Sequence, residues 1–164
     1  MKLQLTYDVY EDRLMLRVGF ENEPAQGYWL TRRMTALLIG VLGQQLEAAV
    51  APELTTEAKH WMLEIQREAA MEKNAPSIEP ALALPPSPPI LASTVKYGRT
   101  IHEKQLVLTL EDQAGQGQAL ALSDELTHIF LQMLEQESAK AGWELSPANQ
   151  QNPALLPTET QTMH

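Results

Sequence analysis

Apolar residues fall at alternate positions over Leu3, Leu5, Tyr7 and Val9, and again over Leu14, Leu16 and Val18. A period of two with mostly polar neighbours predicts two strands that each bury one face. The polar run Tyr10–Arg13 (YEDR) between them predicts a turn, so the pair reads as a hairpin. Glu21–Gly27 (ENEPAQG) holds Pro and Gly and predicts a loop, followed by a short third strand at Tyr28–Leu30. The period then changes. Met34, Leu37, Leu38, Val41, Leu42 and Leu46 recur at helical spacing, and Thr31 stands where its oxygen can accept a bond from a free backbone N–H of the first turn.

The same order returns later in the chain. Residues 3–46 lie over residues 95–138 without a gap, at a constant displacement of 92. Eight positions are identical, a modest excess, whereas sixteen are apolar in both copies, so it is the buried pattern that the match preserves. The pairs include Leu3/Val95, Val9/Ile101, Leu14/Leu106, Leu16/Leu108, Val18/Leu110, Leu30/Leu122, Leu37/Ile129, Leu38/Phe130 and Leu42/Leu134. The second copy predicts strands near Leu91–Ile101, Gln105–Leu110 and Gln118–Leu122, then Ser123 as a cap and a helix carrying Leu126, Ile129, Phe130, Met133 and Leu134.

Between the copies, Leu54, Ala58, Trp61, Met62, Ile65 and Ala69 form the apolar stripe of a further helix over about 52–73, with Pro52 acceptable in its first turn. The linker 74–89 carries prolines at 76, 80, 85, 86, 88 and 89, a density that forbids helix and favours extended geometry. Residues 144–164, rich in Pro, Gln, Asn and Thr, are expected to form a disordered tail.

Three-stranded units with one apolar face each do not stand alone in water, and packing them together buries both faces. The expected fold is α+β. Two pseudo-repeated β-β-β-α units form an antiparallel β-sandwich or barrel-like core within a single domain over 1–143, with an additional helix between the units. One continuous mixed sheet with helices on one side is the alternative.

This element order resembles the head domain shared by the DNA end-joining scaffold proteins and the centriolar cartwheel protein. The residues behind the resemblance are the strands at 3–18 and 28–30, the helices at 32–50 and 52–73, and the strands from 91 to 122 leading into a helix at 124–141. Those proteins continue into a long dimerising coiled coil. Here Gly142, Pro147 and Pro153 stop the closing helix, so the resemblance implies a head-like interaction module without its stalk, and does not imply DNA repair.

Composition narrows the function classes. The net charge is −9 and both halves of the chain are acidic, which disfavours nucleic-acid binding through a basic face. With no cysteine, disulfides, thiolate metal sites and cysteine nucleophiles are excluded. The N-terminus lacks the apolar run of a signal peptide, and the longest apolar stretch, MTALLIGVL, is too short to span a membrane, so a cytoplasmic, non-membrane protein is expected.

Chemistry-bearing motifs are sparse. Glu57-Ala-Lys-His60, with Glu64 a turn further on, has one half of a di-iron spacing, but the required second half is missing; a solvated helix face explains it. His102-Glu103 begins like a zinc-protease signature without the second histidine, and His128 flanks an apolar helical stripe. The pairs Glu11–Asp12 and Glu111–Asp112 fall at turns. Pro85–Pro89 (PPSPP) contains P-x-x-P spacing, yet a spacer is the simpler role. No catalytic residue, metal ligand or cofactor is assigned.

One stretch resists the bland explanation. Arg32 and Arg33 occupy a helix first turn, where the macrodipole disfavours cations, while the matching positions in the second copy hold Asp124 and Glu125. The arginines either reach water or nearby carboxylates, bind an anionic ligand or acidic partner, or meet the Asp124–Glu125 end of a second subunit. The favoured function is a non-catalytic protein–protein interaction or assembly domain, with a homodimer plausible. The alternative is a small-molecule or anion binder, or an enzyme, with a site at the seam between the halves where Tyr28, Trp29, Arg32 and Arg33 contribute.

Overall fold

The computed structural model describes residues 1–74 and 79–145, together with the backbone of 160–161. The elements run β1 (Lys2–Asp8), β2 (Arg13–Gly19), β3 (Gln26–Leu30), α1 (Arg32–Ala49), α2 (Thr56–Lys73), β4 (Ile90–Leu91), β5 (Thr94–Arg99), β6 (Leu106–Glu111), β7 (Gly117–Leu122), α3 (Asp124–Lys140) and β8 (Thr160–Gln161). The strands form two sheets, ordered β1-β2-β3-β4 and β7-β6-β5-β8, not one continuous sheet. The class is α+β.

Alternation decides which face of each strand is buried. Leu14, Leu16 and Val18 on β2 are sealed, as are Leu106, Leu108 and Leu110 on β6. With residues from α1 and α3 they form one apolar cluster. Leu5 lies opposite Leu16, and Leu16 opposite Tyr28. In the second sheet Tyr97 lies opposite Leu108, and Leu108 opposite Leu120. Each second-sheet partner stands 92 residues after its first-sheet counterpart.

The same displacement relates the turns and the caps. Asp12 and Lys104 both take left-handed backbone, with φ of 49° and 52°. Thr31 caps α1 by accepting from the Met34 N–H, and Ser123 caps α3 by accepting from Leu126 N–H. The buried hydroxyls of Thr35 and Thr127 then donate to the Thr31 and Ser123 carbonyls at 2.9 and 2.7 Å. The outer partners break the match: β4 runs parallel to β3, whereas β8 runs parallel to β5.

Several expectations are corrected. The strand expected over Leu91–Ile101 is interrupted. Ala92 N–H donates to the Trp29 carbonyl in the first sheet, and the next amide, Ser93 N–H, donates to the Glu111 carbonyl in the second. The chain therefore changes sheets across two residues. Val9 and Ile101, expected on buried strand faces, are exposed at hairpin turns. The Asp8 carboxylate takes the N–H groups of Tyr10 and Glu11 and so ends β1 before Val9. Helix α2 begins at Thr56, not near residue 52, because Thr55 is the residue whose hydroxyl caps it.

Trp61, Met62 and Ile65 from the apolar stripe of α2 face solvent, and the one buried residue of the helix is Ala70, outside the stripe. The described part of the proline-rich linker crosses the outer face of the first sheet. A Cβ on Gly19 would lie 3.1 Å from Leu82, and one on Gly27 3.0 Å from Leu84. Gln4 clips the linker down, donating to the Pro80 carbonyl and accepting from Leu82 N–H.

Helix α3 ends as the sequence implies. Gly142, with φ of 72°, lets Trp143 N–H reach back to the Ser138 carbonyl at 2.9 Å, a closing bond that left-handed glycine permits. Trp143 then turns into the core and meets Tyr7 edge to face, with ring centroids 5.9 Å apart. The expected tail lies outside the described residues except for Glu144, Leu145 and the short strand β8.

Candidate interaction surface

The residues singled out from sequence do not form one site. Tyr28 is sealed in the core, where its hydroxyl accepts from the Gln118 N–H at 3.1 Å. Burial pushes its pKa up, with the Gln118 bond opposing. Its role is to tie β3 to β7, and it offers no surface to a partner. Trp29 is half-buried, paired with Met15 on one side and Leu91 on the other. Arg32 and Arg33 are exposed, and among the described residues neither forms an ion pair.

Asp124 and Glu125 are already engaged within the chain. Asp124 pairs with Arg99 at 3.2 Å. Glu125 accepts from Asn74 at 2.8 Å and faces Lys73 at 3.5 Å. The Asn74 bond, and then the Lys73 charge, hold the Glu125 carboxyl below its ordinary pKa against the opposing effect of burial.

The Asn74 and Lys73 contacts belong to the seam between α2 and α3. Arg67 of α2 bonds Gln132 and Glu135 of α3 through its guanidinium. His128 is buried beneath the same seam, its Nε2 3.4 Å from Gln66 Oε1. Burial lowers the His128 pKa, the Arg67 charge lowers it further, and Asp124 opposes. An open groove of about 250 Å³ runs along the seam, lined by Gln66, Ala69, Ala70, Lys73, Asp124, Glu125 and His128. Its polar groups mostly bond one another, so it serves as a joint that carries α2 on α3.

Held by that joint, α2 turns its other side outward. Trp61 is 70% exposed, Ile65 56% and Met62 40%. Ile65 stands four residues after Trp61 and three after Met62, which brings both onto its face of the helix. Large apolar side chains gathered this closely on a solvent face form a patch, unlike the scattered single residues of an ordinary surface. The stripe was visible in the sequence. Its outward direction was not, because helical spacing shows that a face is apolar without showing what covers it.

Among the described residues no three His, Asp or Glu side chains are placed to hold a metal ion, and no helix is long and apolar enough to cross a membrane. His60, Glu57 and Glu64 lie on exposed turns of α2. No protein-family model matches the chain, and no curated protein or solved structure matches it. Function has to be argued from the residues themselves.

Proposed function

We propose that this chain is a non-catalytic protein–protein interaction domain. Its two β-β-β-α units would be pseudo-repeated halves of a sandwich-like core, and α2 would be the element offered to a partner. The observation that carries this reading is Trp61. A tryptophan 70% exposed beside Ile65 and Met62, on a helix fixed to the core by its opposite side, is suited to burial by something outside the domain. The resemblance in element order to head-like interaction modules, drawn from the sequence alone, agrees with the same reading.

The alternative is an anion or small molecule held at the seam by Tyr28, Trp29, Arg32 and Arg33. It has less support, since burial removes Tyr28 from any such group. Two measurements separate the readings. Light scattering gives the mass as concentration rises, and a thermal-shift screen covers metals, nucleotides and anionic metabolites. Association that is lost on Trp61→Ala, without a ligand-dependent rise in melting temperature, supports the interaction domain. A reproducible rise with an anionic ligand, lost on Arg32→Ala and Arg33→Ala, overturns it.

A further inference from the structure

We propose that the outward face of α2 receives an amphipathic helix of a partner protein, one that carries lysine or arginine along one edge of its own apolar stripe. The inference rests on the interaction-domain reading and specifies the partner's chemistry. Within α2 the outward apolar row runs from Ala58 through Trp61 and Met62 to Ile65, a length of about 10 Å at the rise of an α-helix. A second helix is the element whose width and spacing match such a row.

Charge selects the kind of helix. Glu57, Glu64, Glu68 and Glu72 follow at intervals of seven, four and four, which sets them along one edge of the apolar row. All four are exposed, and among the described residues none forms an ion pair. Of the cations on α2, Arg67 pairs with Glu135 and Lys73 with Glu125, both on α3, while Lys59 is in no ion pair among the described residues, with these glutamates or any other acid. The edge is therefore acidic and unanswered by α2's own bases. Burial of Trp61 and Ile65 would supply affinity, and basic residues along the partner's edge would set orientation and speed of encounter. A second copy fits poorly. In an antiparallel two-fold pairing the acidic edges of the two copies would run side by side, on molecules that each carry a net charge of −9.

Hydroxyl-radical footprinting of the full chain tests this, since oxidation of Trp61 and Met62 reports their exposure directly. Two synthetic helical peptides of about 18 residues, long enough to cover the row, share one leucine stripe and carry either lysine or glutamate along the same edge. The lysine-edged peptide is expected to protect Trp61 and Met62, and the glutamate-edged peptide to leave them reactive. Reversing the edge with Glu64→Lys and Glu68→Lys is expected to exchange the two results, and Trp61→Ala to weaken binding of the lysine-edged peptide at least tenfold.

Equal protection by both peptides, or by neither, overturns the proposal. Protection of Trp61 in the chain alone that grows with concentration also overturns it. In that case a second copy is the occupant, and the interaction reading survives. Protection at every concentration assigns the face to the chain's own residues. A Trp61 reactive under all conditions, in a chain whose mass never changes, removes both readings together.

Discussion

The Glu137 carboxylate on α3 accepts a hydrogen bond from the backbone N–H of Tyr7 on β1, at 2.9 Å. The helix that follows the second sheet thus secures the first strand of the first sheet. The converse contact exists at the positions displaced by 92. Arg99 on β5 donates to the carbonyl of Gln45 on α1 at 2.8 Å, and to its side-chain oxygen at 3.3 Å. The helix that follows each sheet therefore bonds a strand of the other sheet. Neither contact could be assigned from the sequence, because each joins residues far apart in it.

Replacing Glu137 tests the first of these bonds. The side chain is buried, and its other partner is Lys140 at 2.5 Å. Glu137→Ala leaves the Tyr7 N–H without an acceptor and is expected to cost about 1–3 kcal/mol. Glu137→Gln retains an acceptor and should cost less. Urea denaturation, with an unchanged slope, gives the comparison.

Tyr28→Phe isolates the bond between β3 and β7. The ring still fills its site, but Gln118 N–H loses its acceptor, for an expected loss of about 1–2 kcal/mol. The raised Tyr28 pKa adds an alkaline signature. Its contribution is complete below the ordinary tyrosine value of 10.0 and is lost as pH rises through the higher folded value. A stability–pH profile of wild type should therefore fall more steeply above pH 10 than that of Tyr28→Phe.

His128 controls the acid side. Its pKa is lowered in the folded state, so the unfolded chain takes up the proton first. The associated stability is present above the ordinary value of 6.5 and disappears as pH falls through the folded value. His128→Gln, which cannot titrate, should flatten the part of the profile that begins below pH 6.5. Hydrogen exchange should show the acid loss first in α2, since Gln66 and Arg67 meet α3 at this histidine.

Arg32 and Arg33 stand in a first turn that contains no acid, whereas Asp124 and Glu125 occupy the same turn of α3. Arg32→Glu and Arg33→Glu are each expected to raise stability by about 0.3–1 kcal/mol at low ionic strength, an effect that added salt should erase. Thermal denaturation at two salt concentrations is sufficient.

Much of the secondary structure was legible because local rules agreed. Alternating leucines on β2 and β6, hydroxyl caps at Thr31 and Ser123, and Gly142 after α3 each act within a few residues. What was not legible depends on contacts distant in sequence. Ala92 and Ser93 looked like ordinary strand residues, and their division between sheets appears only once Trp29 and Glu111 are in place. Trp143 stood at the edge of an expected tail, yet it packs on Tyr7. The interaction residues were sought at Tyr28, a tyrosine needed inside. Trp61 was read as part of an apolar helix stripe, and spacing alone could not show that it is exposed.

The crossing at Ala92–Ser93 has a mechanical consequence. Consecutive amides answer to different sheets, so a tilt of one sheet relative to the other must be absorbed within a single peptide link. No slack loop intervenes to act as a hinge. An insertion between these two residues would place slack where adjacent amides now bind the two sheets.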